Sequence, residues 1–132
     1  MAGGPAVNVL LDTCALLALA RGELPDRVAA ALSNAPEANV SVVSAWEVAI
    51  KAASAKLRLH QEPIHWFLRL TERHQLRELP LDAHLACAAA ALPKIHGDPF
   101  DRVLVALALN RGLTILTSDG NVSRYPGVTT VW

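Results

Sequence analysis

The chain has 132 residues, 52% apolar and 18% charged, and its 12 basic side chains are balanced by 12 acidic ones. That length suits one domain with a single real core, and the composition excludes a disordered segment or an acidic tail. Zero formal charge excludes a uniformly basic nucleic-acid coat but leaves room for a local basic patch.

Alanine and leucine supply 44 residues, so helices and an aliphatic core are expected. In chain order, Ala6–Leu11 (AVNVLL) is an almost continuously apolar run ending at Asp12, which suits a strand buried on both faces. Thr13–Ala20 reads as a helix stopped near Gly22. Pro25 opens another through Ser33, since proline is tolerated at a helix start. Asn39–Val43 (NVSVV) is a second, β-branched strand, and Ser44 begins a helix to about Leu57. Pro63 opens the next helix, through His74. Leu76–Leu79 is a short strand candidate, and Asp82–Leu92 an alanine-rich helix capped by Asp82 and closed by Pro93. Asp98-Pro99 starts a helix to Asn110 with Gly112 as its stop. Leu113–Thr117 (LTILT) and Val128–Val131 complete the strands. Strands alternating with helices predict an α/β domain spanning residues 1–132, with a parallel sheet covered by helices on both faces.

The acids fall in a pattern on that map. Asp12 ends the first strand and Asp119 lies just beyond Leu113–Thr117. Glu47 falls in the first turn after the second strand, and Asp101 in the first turn of the Asp98 helix. In an open parallel sheet, strand carboxyl ends and helix amino ends line one crevice where ligands bind. Each acid also has a local explanation. Ser44-Ala-Trp-Glu47 fits a capping box, Asp98-Pro-Phe-Asp101 a cap with an acid favoured by the helix dipole, and Asp119-Gly120 a turn. Asp12 has no such evident capping role. Four carboxylates in one crevice raise one another's pKa and destabilise the fold unless compensated, and the sequence offers no matching arginine cluster. A divalent cation compensates them. An all-oxygen set suits Mg²⁺ or Mn²⁺ rather than zinc, with some acids ligating the ion and others ordering its water shell. Such an ion polarises a phosphoryl oxygen and activates water for in-line attack on phosphorus.

Cys14 and Cys87 lie far apart without C-x-x-C spacing and are expected to be buried, reduced thiols. Met1 is followed by Ala-Gly-Gly-Pro rather than a basic start and apolar run, so no secretory leader is expected, and a reducing cytoplasm is. The richest apolar stretch, Leu79–Leu92, is broken by Asp82 and His84 and falls short of the roughly 18–20 residues of a membrane span. His60, His65, His74, His84 and His96 show no zinc-ligand spacing, and no metal role is expected for them. Trp46, Trp66 and Phe67 lie in helices, where packing is expected rather than base stacking.

LLDTCALL, VVSAWEVAIKAASAKLRL, DPFDRVLVALAL and LTILTSD, in this order and spacing, resemble the successive motifs of PIN-domain proteins, in the branch of VapC-type toxins. The resemblance runs from the first strand to Val131-Trp132. It implies a three-layer α/β/α fold with a central, mainly parallel sheet of four to five strands, and a Mg²⁺- or Mn²⁺-dependent endoribonuclease. The family's acidic quartet maps onto Asp12, Glu47, Asp101 and Asp119, as catalytic and metal-holding residues. Asp101 is favoured over Asp98, which becomes an auxiliary acid capping the helix or holding the ion's water. Thr13 and Thr117 occupy the family's supporting positions and are expected to orient Asp12 and Asp119. Cys14 stands where relatives often carry histidine, Gly97 where a basic residue is frequent, and Ala55 where glycine is.

RNA needs positive charge to approach an acidic cleft. Residues 51–77 carry Lys51, Lys56, Arg58, Arg69, Arg73 and Arg77 against Glu62 and Glu72. Lys51, Lys56 and Arg102 are the candidate RNA contacts. Lys51 is also placed for an i,i+4 pair with Glu47, and Arg102 for neutralising a carboxylate. The resemblance further implies a VapB-type antitoxin that blocks the cleft, DNA contact only through that antitoxin, and a homodimer. The apolar helices before Ser33 and after Ser44 offer a groove for a partner helix. Competing readings are a non-toxin PIN nuclease in RNA processing and a catalytically silent PIN fold that only binds a partner. A haloacid-dehalogenase phosphatase needs a second Asp where Cys14 stands, and a receiver domain an Asp where the second strand reaches Ser44.

Overall fold

The computed structural model describes residues 6–132, so the expectation about Met1–Pro5 lies outside the described residues. The elements are β1 (Val9–Leu11), α1 (Thr13–Arg21), α2 (Asp26–Asn34), β2 (Ala38–Ser41), α3 (Val42–Ala53), α4 (Pro63–Arg73), β3 (Arg77–Leu79), α5 (Ala83–Ala91), α6 (Pro99–Arg111), β4 (Thr114–Leu116) and β5 (Thr130–Val131). A short 3₁₀ turn at Val122–Arg124 precedes β5. All strand pairs are parallel, in the order β3-β2-β1-β4-β5. The expected α/β/α architecture is therefore present, at the upper end of the expected strand number.

The apolar strand residues alternate between two cores, one on each sheet face. Leu10, Leu79 and Ile115 pack with Leu85 of α5 and Leu104, Val105 and Leu107 of α6. Val9, Leu11, Val40 and Leu116 pack with Leu16 of α1, Val28 of α2 and Phe67 and Leu70 of α4. The central position of β1 explains its uninterrupted apolar run: Val9, Leu10 and Leu11 are all fully buried. Among the described residues no helix is long and apolar enough to cross a membrane.

The strands are shorter than the apolar runs suggest. β1 begins at Val9 rather than Ala6, because only Val9–Leu11 finds register with both neighbours. β2 ends at Ser41 rather than Val43. The Ser41 hydroxyl accepts the Val43 amide at 3.1 Å and caps α3, so two β-branched residues enter a helix in spite of their strand preference. Caps of this kind contribute about 1 kcal/mol.

Several helices close in one way. Glu23 donates back to the Ala18 carbonyl, Lys56 to Lys51, Leu76 to Thr71 and Leu113 to Ala108, the six-to-one bond of a Schellman close. Its C′ residue must be left-handed. Gly22 (φ 69) and Gly112 (φ 66) meet that need directly, but Ala55 (φ 59) and Gln75 (φ 53) carry side chains there. The strain at Ala55 lies where the resemblance places glycine, and the close ends α3 at Ala53 rather than Leu57. For a residue with a Cβ this conformation costs about 1–2 kcal/mol, offset in part by the greater unfolded freedom of glycine. Ala55→Gly and Gln75→Gly should each raise the melting temperature by about 2–4 °C. Melts in which neither variant exceeds the parent would contradict this account.

Candidate metal centre

The chain leaves β1 toward β2 on one side and returns to β4 on the other. This reversal opens a crevice beyond the carboxyl ends of β1 and β4, the general ligand position of open α/β sheets. Asp12 follows β1 directly and is almost fully buried, with 3% of its surface exposed. Contrary to expectation it does cap: its Oδ1 accepts the Ala15 amide at 2.8 Å, so Asp12 is the N-cap of α1. Cap and crevice position coexist because the first turn of α1 starts at the strand end. The Thr117 hydroxyl, just past β4, is hydrogen-bonded to the Asp12 carboxyl and accepts the Asp119 amide at 3.0 Å. Thr117 thus touches both acids it was expected to orient.

Glu47 sits a turn deeper in α3 than expected, because Ser41 and not Ser44 caps the helix. The capping box is therefore absent. Ser44 is instead wholly buried and accepts the Thr13 hydroxyl at 3.1 Å; that bond locks α1 to α3 and takes Thr13 away from Asp12. Glu47 is buried, and its Oε2 receives the Lys51 ammonium at 2.9 Å. The hydrogen bond to Glu47 raises the Lys51 pKa, holding the ammonium charged.

At the start of α6, Asp98 Oδ1 accepts the amides of Phe100 at 2.9 Å and Asp101 at 3.4 Å. Asp98 is the cap, and Asp101 stands in the first turn. Asp119 Oδ1 closes its own turn on the Asn121 amide at 2.8 Å. Between them lies a residue for which no metal role was expected. His96 Nε2 is 2.9 Å from Asp101 Oδ2 and 3.5 Å from Asp119 Oδ2. His96, Asp98 and Asp101 each offer a ligand atom within 4.8 Å of the others. The lone sequence signal was its place two residues before the Asp98 cap, since histidine spacing carried nothing.

Arg102 does not extend into the crevice as a phosphate contact. Its guanidinium donates to the carbonyls of Pro93 (3.0 Å), His96 (3.3 Å), Leu92 (2.9 Å) and Ala90 (3.3 Å), and to the Tyr125 hydroxyl (3.3 Å). Five hydrogen bonds from its two terminal nitrogens staple the α5–α6 connection and leave it as a structural clamp. Lys56 is exposed beyond the end of α3. The thiols are also corrected: Cys14 and Cys87 are free but exposed rather than buried, on helix faces turned from the cores. Phe67 packs in the core on the α4 side, and the half-buried Trp66 lies against it. Trp46 is 58% exposed, touching Phe100 edge-to-face at 5.2 Å.

The electrostatics show that these acids share one field. Burial raises the Asp12 pKa; its bonds to Thr117 and Ala15 oppose that, and the charges of Glu47 and Asp119 add to it. Asp101 is pushed up to about 6, first by burial and then by Asp98, with Asp119 and Asp12 contributing and the His96 bond opposing. A hard, oxygen-rich donor set under mutual repulsion fits a small divalent cation of the Mg²⁺ or Mn²⁺ kind. Asp12, Glu47, Asp101 and Asp119 are the residues that could hold it, with Asp98 beside them.

The folded carboxyl of Asp101 titrates near 6 and an ordinary one near 3.8. Between those values the folded state binds more protons than the unfolded state, so stability falls as pH rises from about 4 to about 6 and stays reduced above that. In chelator, Asp101→Asn should therefore be more stable than the parent at pH 7, by on the order of 2 kcal/mol, with the difference vanishing near pH 4. Equal urea midpoints at pH 7 would overturn the assigned strain.

Comparison with known proteins gives the family of this fold. The PIN-domain family profile matches residues 9–128. Ribonuclease VapC22 of Mycobacterium tuberculosis is 31% identical over 105 residues, covering 77% of this chain and 79% of that protein. The VapBC2 complex of Rickettsia felis bound to a promoter DNA fragment superposes with a TM-score of 0.68 at 15% identity, covering 94% of this chain and 97% of that one. DNA-bound VapBC from Salmonella typhimurium gives 0.67 at 18% identity, with 95% and 97% covered, and FitAcB from Neisseria gonorrhoeae 0.66 at 21%, with 94% and 96% covered. These structural likenesses show the fold. Together with the matched profile and the relative in sequence, they establish that the chain belongs to the PIN-domain family.

Proposed function

We propose that this chain is a Mg²⁺- or Mn²⁺-dependent endoribonuclease acting as the toxin of a type II toxin–antitoxin pair, on single-stranded or structured RNA. The observation that supports it best is the shared field of Asp12, Glu47, Asp101 and Asp119 at the reversal point of the sheet. The kinship to ribonuclease VapC22 supplies the reaction class, hydrolysis of a phosphodiester.

Asp12 and Asp101 hold the cation in this reading, while Glu47 and Asp119 order its water shell. When bound, the cation polarises a non-bridging phosphate oxygen and stabilises the charge that develops on phosphorus. Lys51 fixes one oxygen of Glu47, which leaves Asp119 as the freer carboxylate to accept a proton from the attacking water. Thr117 keeps Asp12 and the Asp119 turn in fixed relation. No histidine or cysteine nucleophile is needed. Lys51 and Lys56 offer charge to the RNA backbone at the end of α3.

The partners follow from the same kinship. VapBC assemblies superpose on this fold, and a VapB-type antitoxin is the partner that would block the crevice and carry any DNA contact. Trp46 and Ile50 on α3, and Ile64 and Leu68 on α4, are exposed apolar pairs one turn apart, the spacing at which a partner helix or a second copy of the chain docks. A homodimer and a cytoplasmic location complete the proposal.

Purified protein should cleave RNA with Mg²⁺ or Mn²⁺ and stop in EDTA. Asp12→Asn and Asp101→Asn should each lower cleavage by at least about 100-fold while remaining folded by circular dichroism. Cleavage by either variant at the parental rate sinks the assignment. Replacing Lys51 and Lys56 together by glutamine should weaken RNA binding and flatten its salt dependence by about one to two charges; an unchanged slope would remove both lysines from the RNA path.

A further inference from the structure

His96 stands at the crevice on a firmly anchored stretch of main chain. The main chain of His96 is gripped on both sides. Its amide donates to the Tyr125 hydroxyl at 3.1 Å, and that hydroxyl donates back to its carbonyl at 3.2 Å. Arg102 donates to the same carbonyl at 3.3 Å and to the Tyr125 hydroxyl at 3.3 Å. Tyr125 is itself only 2% exposed, so the grip is rooted in the core. The imidazole, 23% exposed, holds its Nε2 at 2.9 Å from Asp101 and 3.5 Å from Asp119.

A nitrogen lone pair or N–H lodged between carboxylates from two separate segments is placed by the fold and not by local sequence. The same ring has a donor atom within 4.8 Å of ligand atoms on Asp98 and Asp101. A cation held by Asp101 would therefore meet a nitrogen donor whose main chain is already pinned.

We propose that His96 is a direct ligand of the divalent cation, and that its nitrogen biases the centre toward Mn²⁺ over Mg²⁺. The inference rests on the metal-centre reading given under Proposed function. Its chemistry is that of donor softness: imidazole suits first-row transition ions, whereas Mg²⁺ prefers oxygen and keeps its waters. An all-carboxylate crevice has no such bias. His96 introduces one, and the Tyr125–Arg102 grip supplies the positional precision that a ligating side chain needs.

The test loads the 132-residue chain with Mn²⁺ and reads it by pulsed electron paramagnetic resonance. The parent should show ¹⁴N coupling of imidazole type. His96→Gln should lose it, while His60→Gln on the exposed surface keeps it. By titration, His96→Gln should lower Mn²⁺ affinity about tenfold and Mg²⁺ affinity by much less, with the circular dichroism spectrum of the folded parent. Mn²⁺ bound without nitrogen coupling in the parent overturns the proposal and leaves the carboxylate centre standing. Coupling that survives in His96→Gln also overturns it. Failure of the parent to bind Mn²⁺ at all would remove the metal-centre reading and this inference with it.

Discussion

Mutual repulsion among buried carboxylates is the constraint around which the crevice is organised. Asp12 and Asp101 are drawn from opposite ends of the chain to one edge of the sheet, and both sit in surroundings that resist their ionisation. A fold assembled only for stability would place these acids in water. The surrounding contacts read as measures that hold the charges in place: the cap on Asp12, the Lys51 pair on Glu47, the Asn121 amide on Asp119 and the imidazole between Asp101 and Asp119. Each is partial, which leaves the field open to a cation of higher charge.

The route from chain to crevice was readable where local rules decide the outcome. Asp82, Asp98 and Gly112 mark their helix ends because caps and left-handed closes depend on a few neighbouring atoms. The alternation of strand and helix gave the parallel sheet, and its reversal point placed Asp12 and Asp119. Val42 and Val43 misled because their strand preference is weaker than the Ser41 cap that draws them into α3. The register of three short strands set the length of β1, and a register is a property of neighbours that no single segment states.

The site was legible in its carboxylates and illegible in its supports. Ser44 finds Thr13 across 31 residues, and His96 finds Tyr125 across 29. Contacts of that range leave no spacing to read. Arg102 shows the cost of proximity arguments: beside Asp101 in the chain, it turns to the carbonyls of the α5–α6 connection. A guanidinium that satisfies four main-chain acceptors holds a loop, and that loop carries His96.

One feature of the first turn separates folding from chemistry. Asp12 uses Oδ1 as the cap of α1, a task that asparagine performs about equally well. An Asp-to-Asn change, reachable in a single nucleotide step, would thus keep the helix start and the buried packing yet take one negative charge from the crevice. A change to alanine would instead take away the helix cap along with the charge, so the two substitutions separate what the carboxyl does for folding from what its charge does in the crevice.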